Sequence, residues 1–191
     1  TANMFVDVEN YVSTFTPTFG GDGLPEDIYA ASANSGIPLV VGTNHDENRL
    51  WSVLHPESAT LDIEGALVYY RKTFADKALT AWDLYSKLRI EHSPSQMVAA
   101  LQTDENFRAP AWKLCEERSE INTPTWMYWF TWPTPIFDGA FGSCHALDIP
   151  FVFHNLNAPR VEVFTGDDSS RGPIADRISG ELLSYAKDGV V

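Results

Sequence analysis

The sequence predicts an α/β protein built on a parallel sheet, and three observations carry that reading. Residues 37–43 and 125–132 are short apolar runs, rich in β-branched or aromatic side chains, with no polar face on either alternation. The long stretch between them has helical periodicity, so the two strands should pair in parallel across a helical crossover. Two strands are too few for a sheet that must be covered on both faces. The missing strands are therefore expected upstream, with residues 1–191 forming the carboxy-terminal portion of a single larger α/β domain.

Each element follows from its local pattern. Ser35-Gly36 opens the first strand, Ile37 to Thr43, and a polar loop from Asn44 to Arg49 closes it. Ile63, Leu67, Tyr70 and Phe74 recur at helical spacing, as do Leu79, Trp82, Tyr85 and Leu88, which predicts two amphipathic helices. A shorter helix is expected over 94–101. Another should start at Pro110, where the missing N–H costs nothing in a helix's first turn, and run to about residue 120. The second strand places Trp126, Tyr128, Phe130 and Trp132 on one face and Met127 and Trp129 on the other, and both faces are expected to be filled by packing. A Pro/Gly-rich loop, 133–142, leads to Ser143-Cys144-His145. The last helix, 173–187, carries Ile174, Ile178, Leu182 and Tyr185 on one stripe and stops at Gly189.

Composition removes several classes of function. Thirteen basic against 26 acidic residues leave a formal charge of −13, which disfavours nucleic-acid and anionic-membrane partners because phosphate binding draws on clustered Lys and Arg. With 44% hydrophobic and 13% aromatic residues, the chain has ample material for a core and is no disordered acidic tail. No apolar run approaches the ~20 residues of a membrane-spanning helix. Residues 1–5 lack the basic and apolar pattern of a secretory signal. The two cysteines, Cys115 and Cys144, fit neither a disulfide scaffold nor a zinc site and read as two unpaired thiols or one optional bridge, with Cys144 a packing residue rather than a nucleophile.

In open α/β sheets, sites gather at the carboxyl ends of the strands. The loop after the first strand holds His45-Asp46-Glu47-Asn48, and the segment after the second holds His145. A carboxylate from one loop on the Nδ1 of a histidine from the other would fix the tautomer and free Nε2 to take a proton, which is two thirds of a nucleophilic triad. Either Asp46 or Glu47 could supply that carboxylate on residue type alone.

Gly42-Thr43-Asn44-His45-Asp46-Glu47-Asn48 resembles the acid loop of the type B carboxylesterases, the family of cholinesterases and bacterial para-nitrobenzyl esterases, and Ser143-Cys144-His145-Ala146-Leu147-Asp148-Ile149-Pro150-Phe151 resembles its histidine loop. Asp22-Gly23-Leu24-Pro25, Phe107-Arg108-Ala109-Pro110-Ala111 and Phe130-Thr131-Trp132 match in the same order. The resemblance covers residues 15 to about 187. It implies the carboxy-terminal part of an α/β-hydrolase fold. By the same resemblance, Glu47 is the acid and His145 the base of a Ser-Glu-His triad in a serine carboxylesterase acting on small-molecule esters, without metal or organic cofactor. The family's serine lies in a Gly-x-Ser-x-Gly turn. No such turn occurs in this sequence, so the nucleophile is expected upstream and the chain alone should be inactive. The alternative within the same fold family is a non-catalytic adhesion or scaffold protein; a free-standing binding module is a third reading.

Two positions depart from the family pattern. Asn48 stands where glycine is usual, which asparagine tolerates best if the backbone there has positive φ. His154 stands where glycine is common after Phe153. Asp46 reads as a loop-stabilising cap, His45, His55, His92 and His154 as surface or structural, and Trp51, just after the acid loop, as a candidate pocket wall.

Overall fold

Leu39, Val40 and Val41 open strand β1 (Leu39–Asn44), and the aromatic run forms β2 (Thr125–Phe130). The computed structural model describes residues 19–21 and 23–190; the reading of residues 1–5, the match over 15–18 and Asp22 of the Asp22-Gly23-Leu24-Pro25 match lie outside them. As the sequence predicts, β1 and β2 pair in parallel, in register from Leu39 opposite Thr125 to Asn44 opposite Phe130, and among the described residues they are the whole sheet. Gly42 is required here for a concrete reason. The Tyr128 ring lies across it so closely that a Cβ at position 42 would sit 1.9 Å from the ring Cζ.

Helix α1 (Ile28–Asn34) precedes β1 and is capped by Asp27, whose carboxylate accepts from the Tyr29 and Ala30 N–H groups. The crossover consists of α2 (Arg49–Leu54), α3 (Pro56–Ala59), α4 (Ile63–Phe74), α5 (Ala78–Leu88), α6 (Pro94–Thr103) and α7 (Ala109–Glu120). Ser93 and Gln96 form a reciprocal capping box that starts α6. After β2 come α8 (Ile149–Val152), α9 (Glu162–Thr165) and α10 (Arg171–Asp188), the last ending on Gly189 at φ +71°, the left-handed stop its sequence predicts.

The helices cover the sheet from both sides. Trp126, Tyr128 and Phe130 face α10 and α8: the Trp126 and Tyr185 rings meet edge to face, and Phe130 joins Phe141, Leu147, Phe151 and Ala175 in the main core. On the other side, Arg118 of α7 donates to the Thr125 hydroxyl. A second, smaller core lies wholly in the crossover, where Tyr70, Ala78 and Leu101 are buried with Trp82 and Tyr85 against them.

Three expectations need correction. Trp129 is 51% exposed rather than interior; near the end of β2 the Arg108 guanidinium and the His45 ring, rather than apolar side chains of a helix, lie on its face. The stripe on α5 is only half used: Trp82 and Tyr85 pack on Tyr70, whereas Leu79 and Leu88 are exposed. The helix placed at Pro110 does not begin afresh. A π-helical turn, Asp104–Arg108, joins α6 to α7 and carries Phe107 and Arg108 toward the end of β1.

Candidate active site

The two loops at the carboxyl ends of β1 and β2 are laced together before any catalytic group is considered. The His45 N–H extends the ladder by donating to the Phe130 carbonyl at 2.9 Å. One step on, the Asp46 N–H donates to the Ser143 carbonyl at 2.9 Å, and the Ser143 N–H donates back to Asp46 Oδ2 at 3.1 Å. The Ser143 hydroxyl donates to the Phe130 carbonyl. Asn44, 1% exposed, adds the central tie: its amide donates to the Cys144 carbonyl at 2.8 Å and to Asp148 Oδ1 at 3.1 Å. Asp148 also accepts from the Tyr128 hydroxyl at 2.7 Å, the ring that Gly42 admits.

This lacing aligns Glu47 with His145. Glu47 Oε1 accepts from the Asn44 N–H at 2.7 Å, and Oε2 lies 2.8 Å from His145 Nδ1. The carboxylate side chain is 7% exposed and the imidazole side chain 42%, so the acid is enclosed while the base reaches open space. The hydrogen bond from Glu47 raises the His145 pKa above its ordinary value against the opposing effect of burial, with the Glu47 and Asp148 charges adding to it. With Nδ1–H committed to the carboxylate, Nε2 is the nitrogen left to accept a proton.

Aromatic rings flank the imidazole. The Trp51 centroid lies 4.8 Å from it and the Phe107 centroid 5.5 Å. Cys144 is fully buried, and burial pushes its thiol up to about 12, which removes it as a nucleophile.

Comparison with known proteins decides the family. A family model described as Carboxylesterase family matches residues 1–190. The chain belongs to the carboxylesterase family. Para-nitrobenzyl esterase of Bacillus subtilis (strain 168) is 39% identical over 172 residues, 86% of this chain and 32% of that protein. Phenmedipham hydrolase of Pseudarthrobacter oxydans is 27% identical over 143 residues, 75% of this chain and 28% of that one. A solved structure of PNB esterase superposes with a TM-score of 0.59 at 28% identity, covering 85% of this chain and 32% of the other. That likeness shows part of an α/β-hydrolase fold, and the carboxylesterase-family chain spans about a third of the length of the relatives it matches.

Within this family member, the structure brings together Glu47, His145 and Trp51 and keeps the competing groups apart from the pair. Burial acts to raise the Asp46 pKa, but the hydrogen bond and charge of His45, with Arg49 and the Ser143 N–H, hold it below the usual range; Asp46 is engaged in joining loops. His45 stacks on Trp129 with centroids 5.0 Å apart and contacts Arg89, behind the acid loop. His55 lies by Glu57, and His154 pairs with Asp176 at the surface. His154 has φ +50°, the backbone that glycine adopts more readily, whereas Asn48 has φ −77° and needs no glycine. The Asn48 side chain instead bonds Gln102, and its N–H donates to Thr103.

Sequence reasoning missed Asn44, Tyr128, Asp148, Phe107 and Arg108 as parts of the site. All except Tyr128 lie inside the motifs already quoted, and Tyr128 lies opposite Gly42 in the strand register.

Proposed function

We propose that the whole protein is a serine carboxylic ester hydrolase, in which this chain is the carboxy-terminal portion of the catalytic domain and supplies the acid, Glu47, and the base, His145. The observation that carries this reading is the 2.8 Å contact between Glu47 Oε2 and His145 Nδ1, made across two loops at adjacent strand ends. A serine from upstream sequence loses its proton to His145 Nε2 as its oxygen attacks the ester carbonyl carbon. Glu47 stabilises the imidazolium that forms. As the tetrahedral intermediate collapses, the C–O bond to the alcohol breaks and His145 returns the proton to the departing oxygen. Water then repeats both transfers on the acyl-enzyme, releasing the acid and restoring serine. Trp51 and Phe107, beside the imidazole, give the ester an apolar wall.

The test is covalent labelling of the whole protein by a fluorophosphonate, together with hydrolysis of short-chain nitrophenyl esters. Labelling at a serine and turnover are expected, and His145→Ala should lower kcat by about 10⁴-fold or more, since triad members act as a unit. Near-normal turnover in that variant would remove His145 from the mechanism. An unlabelled, inactive protein would favour the adhesion or scaffold reading.

A further inference from the structure

We infer that Arg108 is a positioning residue for the Glu47–His145 pair, acting through the main chain that begins the acid loop. Its Nη2 donates to two consecutive carbonyls, those of Asn44 at 3.0 Å and His45 at 3.3 Å. Those two peptide units are where the ladder between β1 and β2 runs out, since the His45 N–H makes the last bond of the series to Phe130. The guanidinium is itself held by Asp104 and by the Trp129 ring. Asp104 Oδ1 accepts from Nη1 at 3.0 Å, the other oxygen of that carboxylate accepts from the Tyr85 hydroxyl at 2.6 Å, and the Trp129 ring lies 4.3 Å below the guanidinium carbon. With its side chain 19% exposed, Arg108 is a fixed clamp rather than a mobile surface cation.

The consequence passes through Asn44. The same residue whose carbonyl Arg108 holds donates its N–H to Glu47 Oε1 and its side-chain amide to the Cys144 carbonyl and Asp148. Displacing Asn44 would disturb both sides of the pair, because its N–H bonds the acid and its side-chain amide bonds the histidine loop. Arg108 makes no hydrogen bond to Glu47 or His145; its direct contacts here are the two carbonyls, Asp104 and the Trp129 ring, while its charge also feels Glu47 at longer range. A lysine cannot replace it, since one ammonium lacks the planar fork that meets both carbonyls and Asp104. Arg108 is the last residue of the π-helical turn that joins α6 to α7, and its side chain reaches the end of β1.

The clamp deepens the hydrolase reading, and its test does not depend on that reading. In the whole protein, the His145 Nδ1–H held by Glu47 should give a strongly downfield proton resonance, absent from Glu47→Gln or shifted in it. Arg108→Met keeps an unbranched apolar side chain but removes every donor, and should displace or broaden that resonance; Arg108→Lys should do so to a smaller degree. Thr125→Val, which removes the acceptor of Arg118 at the far end of the sheet, should lower the melting temperature and leave the resonance unmoved. In turnover, Arg108→Met is expected to lower kcat about 100-fold and Arg108→Lys about 10-fold, with KM nearly unchanged, as for loss of alignment rather than of substrate binding. An unmoved resonance in Arg108→Met overturns the assignment. Should that variant not fold, an unmoved resonance in Arg108→Lys does so. A wild-type protein that hydrolyses no ester would sink the hydrolase reading, while the resonance would still decide the role of Arg108.

Discussion

At the amino ends of β1 and β2, Arg118 is 1% exposed and donates to the carbonyls of Ser32, Ile37 and Pro124 and to the Thr125 hydroxyl. At the carboxyl ends, Arg108 likewise donates into main-chain carbonyls, but it rests on the half-exposed Trp129 and steadies a loop that carries a titratable pair. One device thus serves two purposes. At the amino ends the buried guanidinium gathers carbonyls from three separate segments, which is a matter of stability. At the carboxyl ends the carbonyls belong to the loop that carries Glu47, which in the proposed hydrolase is a matter of chemistry.

If the two ends divide the work in this way, substitutions should divide too. The largest expected effect is Glu47→Gln at the carboxyl ends, which should lower kcat by about 10⁴-fold by losing the correct tautomer and the imidazolium's partner, while the denaturant midpoint changes little. Nitrophenyl ester kinetics alongside urea unfolding would check both halves. A large fall in stability without a fall in rate would erase the contrast. At the amino ends, Arg118→Met should cost about 3 kcal/mol of unfolding free energy by removing the hydrogen bonds of a buried guanidinium that tie three segments together, read from denaturant curves, and should leave the downfield resonance of His145 in place.

The pH dependence sharpens the view of the carboxyl ends further. Because Glu47 raises the His145 pKa, the acidic limb of kcat/KM should fall above the ordinary histidine value of about 6.5 and should move down in Glu47→Gln. The linkage has the corresponding sign. The stabilisation from the charged pair is fully present below about pH 6.5, the unfolded value, and is lost as pH rises through the raised folded value. The advantage of the wild type over His145→Ala in thermal melting should therefore shrink from mildly acid to alkaline buffer. The smallest effect is expected for Asn48→Gly. It removes the bond to Gln102 from a residue at φ −77° and adds backbone freedom, so a loss of about 1 kcal/mol should appear in unfolding. A gain in stability would show that this position wants a glycine after all.

Much of the architecture was legible because its signals are local. The two strands, the helices at 63–74 and 78–88, and the Gly189 stop each follow from side-chain periodicity or backbone preference within a few residues. The pairing of β1 with β2 was legible from the crossover between them. The π-helical turn, the exposure of Trp129 and Leu88, and the φ of Asn48 were not, since each depends on what lies alongside in space. Asn44 and Arg108 went unread as site residues because neither residue type advertises chemistry. Their importance lies in which carbonyls and amides they meet.

By itself, the sequence determined the residue types that can do the chemistry, the helical crossover that makes the strand pair parallel, and the motifs that mark the family. Residue type left Asp46 and Glu47 open as the partner of His145 and the family resemblance pointed to Glu47, but only the tertiary structure shows what turns one carboxylate and not the other onto the imidazole. These neighbours have the same charge and nearly the same reach, and the chain turns so that Asp46 meets the Ser143 N–H while Glu47 meets the imidazole. That direction in space is set by the Asn44 and Ser143 hydrogen bonds between loops far apart in sequence, which is the physical reason behind what the motif could only mark.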